Sequence, residues 1–143
     1  MIEYQKILNK NMLNVLKDIL KEIKEDGLSG NNHLYISFLT NHKKVYLPSW
    51  LKEKYPREMT IVIQYEYDDL IVNKNNFSIV LSFDNIKVNL IISYDSIISF
   101  ADPSDNFALI LQKNKIEKKV NKKSNLKNPI KNNVINFSNY KKN

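Results

Sequence analysis

The sequence predicts a mainly β domain opened by one N-terminal α-helix, a small antiparallel barrel or folded sheet left partly open on the side that the helix covers. Three observations point there. Apolar residues recur every three or four positions from Tyr4 to Ile23, the period of an amphipathic helix. From His33 onward the period moves toward two, in short runs rich in β-branched and aromatic residues. Turn signals separate those runs, among them Asp84-Asn85, Ser93-Tyr94-Asp95-Ser96 and Asp102-Pro103-Ser104.

The helix carries Tyr4, Ile7, Leu8, Met12, Val15, Leu16, Ile19, Leu20 and Ile23 on one stripe, with Lys6, Lys10, Lys17, Asp18, Lys21, Glu22 and Lys24 mostly opposite. Gly27 suits the left-handed residue that ends a helix, so the helix is expected to stop near Asp26. At about 22 residues, or roughly 33 Å, it outruns what a small sheet can cover, and part of the stripe is expected to meet a second copy of the chain. His33–Phe38 and Lys44–Leu47 read as paired strands joined by a turn at Thr40–Lys43. Pro48 stops the second, and Ser49–Tyr55 reads as a short helical turn closed before Pro56. Met59–Tyr67 reads as one strand, Phe77–Phe83 and Ile86–Ile92 as a hairpin around Asp84-Asn85, and Ile97–Phe100 and Phe107–Leu111 as the last two strands.

Charge divides the chain. Residues 1–112 hold 12 basic and 14 acidic side chains, net −2, whereas residues 113–143 hold 10 and 1, net +9. Large apolar residues return in force only at Val134-Ile135-Asn136-Phe137-Ser138-Asn139-Tyr140, the pattern of a docking peptide on a solvated spacer. The expected organisation is a domain at 1–112, a flexible Lys/Asn-rich linker at 113–133 and a docking segment at 134–143, together a disordered tail. A spacer of about 20 residues has an end-to-end distance near 25 Å, which keeps a bound partner close.

Several function classes are disfavoured. The chain has no cysteine, hence no disulfide, thiolate metal site or cysteine nucleophile. His33 and His42 have no carboxylate at ligand spacing, so no metal or other cofactor is expected. Asp68-Asp69 reads as a strand-end turn, since neighbours on a strand face opposite ways and cannot share a substrate. The only glycines, Gly27 and Gly30, lie at a helix end, which leaves none for a phosphate-cradling loop. No enzyme is predicted. The charged N-terminus resembles neither a signal peptide nor a membrane span, and a cytoplasmic protein is expected. Gln64 stands out as a neutral amide in an apolar run, able to donate and accept; alternation alone leaves open whether it faces water or a peptide backbone. Tyr65 and Tyr67 likewise line a groove or pack a sheet face.

Three blocks resemble the stringent starvation protein B (SspB) family in its α-proteobacterial form: His33-Leu34-Tyr35-Ile36-Ser37-Phe38, Tyr55-Pro56-Arg57-Glu58-Met59-Thr60-Ile61-Val62-Ile63-Gln64, and Phe100-Ala101-Asp102-Pro103-Ser104 followed by Asn106-Phe107-Ala108-Leu109. The resemblance implies a homodimer of largely β, Sm-like domains with the N-terminal helix at or near the dimer interface. It implies a non-enzymatic adaptor that binds the ssrA peptide, the degradation tag added to proteins on stalled ribosomes, and hands tagged proteins to the ClpXP protease. Gln64 matches the glutamine that the family places in its tag-binding groove, and Tyr65, Tyr67 and Phe83 are the expected neighbours there. Val134, Ile135, Phe137 and Tyr140 are similar to the family's docking motif for the N-terminal domain of ClpX. The chain departs from the family at Tyr65, where a His is usual, and at Asp68, where a Trp is usual. The rival reading is an RNA-binding Sm-like protein with a basic tail. A slightly acidic domain and a tail poor in arginine and interleaved aromatics weigh against nucleic acid as the main partner.

Overall fold

The structure, a computed structural model, describes residues 1–111. The expected linker at 113–133 and the docking residues Val134, Ile135, Phe137 and Tyr140 lie outside the described residues. Helix α1 runs Tyr4–Asp26 and ends where Gly27, at φ 74°, returns its N–H to the Ile23 carbonyl at 2.7 Å. Met12, Leu16, Leu20 and Ile23 are its buried residues, spaced four, four and three apart, so that they share one face. The expected stripe is therefore buried or half-buried from Met12 onward, Val15 excepted. Tyr4 is 73% exposed and Leu8 51%, with Ile7 and Val15 also exposed.

The strands follow as β1 (Leu34–Leu39), then a short helix α2 (Ser49–Lys54), then β2 (Glu58–Ile63), β3 (Asp68–Val72), β4 (Asn76–Phe83), β5 (Ile86–Ser93), β6 (Ile97–Asp102) and β7 (Phe107–Ile110). They form two antiparallel sheets, ordered β2-β1-β6-β7 and β3-β4-β5, and these do not close into a barrel. The β4–β5 hairpin turns on Asp84 (φ 55°) and Asn85 (φ 66°), both in the left-handed region that matches strand twist, as their sequence predicts.

Two strand assignments differ from expectation. Lys44–Leu47 does not pair with β1, because β2 and β6 take both edges of that strand. Tyr46 instead makes a single bridge to Ile91, with N–H···O distances of 2.9 and 3.1 Å. Met59–Tyr67 is not one strand either. The chain bends at Gln64–Glu66 and resumes as β3, which makes up the expected total of seven strands in place of Lys44–Leu47.

The core lies where α1 meets both sheets, and its largest fully buried side chains include Leu16, Leu20, Phe38, Phe77 and Phe100. Polar contacts secure the helix to the three-stranded sheet. Lys24 Nζ donates to the Leu70 carbonyl at 3.0 Å, and Lys17 Nζ lies 4.9 Å from the centroid of the Tyr94 ring. Burial pushes the Tyr94 phenol up to about 12, and its hydroxyl donates to the Asn73 carbonyl at 3.2 Å.

At the far end of β6, Asp102 accepts from Ser104 N–H (3.0 Å), Ser104 Oγ (2.6 Å) and Asn32 Nδ2 (2.7 Å), and Asn32 also reaches Asp105 Oδ2 at 2.8 Å. These bonds fix the β6–β7 turn to the segment that leads into β1. Burial pushes the Asp102 carboxyl up, but the hydrogen bonds from Ser104, Asn32 and the His33 backbone outweigh it and hold the group below its ordinary value.

Two outcomes follow for stability. Leu20→Ala should lower the unfolding free energy by about 2–5 kcal/mol, whereas Leu8→Ala should change it by less than about 0.5 kcal/mol, in urea melts at concentrations where the chain is monomeric. A depressed folded pKa gives stability that is present above the unfolded value, near 4, and is lost as pH falls through the folded value. Asp102→Asn should therefore be less stable than the parent at pH 7, with the gap closing below about pH 4; a gap constant with pH would contradict this.

Candidate functional site

Strand β2 alternates exposed and buried from Glu58 to Ile63, with Met59, Ile61 and Ile63 facing the core. By that alternation Gln64 would turn outward, but the strand has ended and the chain bends there, which leaves Gln64 half-buried. Four residues, Gln64–Tyr67, then carry the chain from the edge of one sheet to the edge of the other. At the entry to β3, Asp68 faces Val80, and the register slips between Asp68 and Ile71 around Asp69, whose φ is 44°.

That register locates the other candidates. Because β3 and β4 are antiparallel, residues before Asp68 lie at the same end of the sheet as residues after Val80. Tyr67 and Phe83 therefore share that end, both half-buried and packed against the core, and Phe83 pairs with Ile86. Tyr65 is 73% exposed. The structure thus brings Gln64, Tyr65, Tyr67 and Phe83 to the junction of the two sheets. No hydrogen bond or ring contact joins them among the described residues, and the Gln64 amide and both tyrosine hydroxyls have no described partner. Such uncommitted polar ends over an apolar floor suit recognition of an extended peptide by its backbone.

Two ion pairs flank this end of the sheet, Lys87–Asp68 at 3.0 Å and Lys54–Asp84 at 3.1 Å. Both are exposed and join residues far apart in the chain, so no local pattern signals them. Asp68 is thereby neutralised, and Asp69 occupies the bulge, in keeping with the strand-end reading of this pair. The two histidines serve separate local turns: His33 Nδ1 donates to the Asn31 carbonyl at 2.6 Å, and His42 Nδ1 accepts from Lys44 N–H at 3.0 Å. No helix among the described residues is long and apolar enough to cross a membrane.

Comparison with curated proteins gives no match. The family model for stringent starvation protein B matches residues 6–141, which takes in all but the first two residues of α1, every strand and the apolar cluster at 134–140. By this match, which spans nearly the whole sequence, the chain belongs to the stringent starvation protein B family, a family of protease adaptors and not of enzymes.

Proposed function

We propose that this chain is a cytoplasmic adaptor that tethers ssrA-tagged proteins to the ClpXP protease. The tag lies at the sheet junction against Gln64, Tyr65, Tyr67 and Phe83, and Val134, Ile135, Phe137 and Tyr140 engage the N-terminal domain of ClpX. The observation that carries the reading is Gln64 itself, a half-buried amide without a described partner at the one bend that links β2 to β3. The family match supports the second contact, since it runs on to residue 141 and so includes the apolar cluster.

The mechanism needs neither contact to be tight. A substrate held on the domain and a protease held by the tail are linked through one chain, so the second encounter is intramolecular. Effective concentrations near a millimolar then lower the substrate level required by about 10²-fold or more. Pairing of two copies through the exposed half of α1 doubles the grooves and the tails, and Tyr4, Ile7, Leu8 and Val15 supply an apolar surface for it.

Two experiments test these parts. In fluorescence anisotropy with a labelled ssrA peptide, Gln64→Ala should weaken binding by roughly three- to tenfold, the worth of one or two hydrogen bonds. Truncation after Gln112 should leave that binding intact while abolishing the stimulation of ClpXP degradation. Equal binding by the parent and Gln64→Ala would remove Gln64 from the site, and absence of peptide binding would sink the reading. For the dimer, Leu8→Asp should yield monomers in sedimentation equilibrium without loss of the folded circular dichroism spectrum; an unchanged mass would assign the interface elsewhere.

A further inference from the structure

Arg57 is the single arginine among 22 basic residues. It stands between α2 and β2 and lines a surface cleft of about 490 Å³ together with Leu39, Asn41, Lys54, Tyr55, Pro56 and Glu58. The connection that bears it is held firmly. Thr40, fully buried, donates its N–H to the Arg57 carbonyl at 2.9 Å and its hydroxyl to the Tyr55 carbonyl at 2.5 Å. Tyr55 in turn closes α2 on the Leu51 carbonyl at 3.0 Å, and Pro56 fixes a further torsion. Lys54 is engaged by Asp84, whereas the Arg57 guanidinium has no hydrogen bond or ion pair among the described residues.

We infer that this cleft is a carboxylate subsite, taking an acidic side chain of a peptide laid along the open edge of β2. The inference rests on the peptide-binding reading above and extends it. Strand β2 is terminal in its sheet, and among the described residues its outer edge is unpaired. Arg57 stands at one end of this strand and Gln64 at the other, roughly 23 Å apart at about 3.3 Å per residue. An extended peptide of about seven residues along β2 has the span that separates them. Arginine is the residue suited to such a role, because its planar fork meets a carboxylate with two parallel hydrogen bonds, which a lysine cannot do. Leu39, Tyr55 and Pro56 give this open cleft an apolar wall, and the exposed Asn41 offers a further donor. One free guanidinium beside Glu58, on a domain whose residues 1–112 carry net −2, favours a single carboxylate over a polyphosphate chain.

The test uses the full chain and two labelled probes, the ssrA peptide and a version with every Asp and Glu replaced by Asn and Gln. The parent should bind the acidic peptide roughly tenfold more tightly than the amide version. Arg57→Gln should erase that preference, and Arg57→Lys should restore only part of it. Gln64→Ala should weaken both peptides alike and keep the preference. Retention of the preference in Arg57→Gln, or equal weakening of both probes by it, overturns the subsite, while a loss on Gln64→Ala leaves the peptide reading standing. A parent that binds neither probe overturns both. Displacement of the peptide by short RNA, abolished in Arg57→Gln, overturns the subsite in favour of a phosphate ligand.

Discussion

The described domain depends on one constraint: a strand has two edges, and both edges of β1 are taken. Six residues, Leu34–Leu39, pair with β2 on one side and β6 on the other, while Leu34, Ile36 and Phe38 fill the core beneath. Much of the remaining architecture follows from this. The segment Lys44–Leu47 has no edge left to join and makes its one bridge to β5. Thr40, just past β1, turns its two donors to the loop that precedes β2 and so ties that loop to the sheet. With β2 outermost, the chain has to leave the sheet from its rim, and Gln64 is where it leaves.

The junction so formed has an unusual balance of order and availability. Its walls are held by pairing, by core packing of Tyr67 and Phe83, and by two ion pairs worth little singly. Its polar groups are uncommitted. A ligand entering such a place meets groups that need no internal hydrogen bond broken first, although ordering them on binding costs side-chain entropy.

Much of this was legible in the sequence, for identifiable reasons. The helix and its end were readable because a 3.6-residue period and Gly27 are local signals, and the β4–β5 hairpin because Asp84-Asn85 carries its own turn chemistry. The bend at Gln64 was not readable. Nothing in Ile61-Val62-Ile63-Gln64-Tyr65-Glu66-Tyr67 breaks a strand; the break comes from the need of one chain to serve two sheets. The same limit hid the partner of β1, since edge occupancy is decided by β6, some sixty residues away. Gln64 itself was found by its chemistry against an apolar background. Arg57 sits inside one of the family-like blocks, and its rarity in the sequence is itself a usable signal.

Helix α1 divides its length between two duties. Its second half supplies Leu16 and Leu20 to the core and Lys24 to the backbone of β3, so substitutions there are judged by the fold. Tyr4, Ile7 and Leu8 touch little of the domain that carries them. Selection can therefore rewrite those first turns, changing what they associate with or how strongly, at almost no penalty to folding. A single continuous helix thus lets the surface of its first turns drift on a separate evolutionary clock from its core.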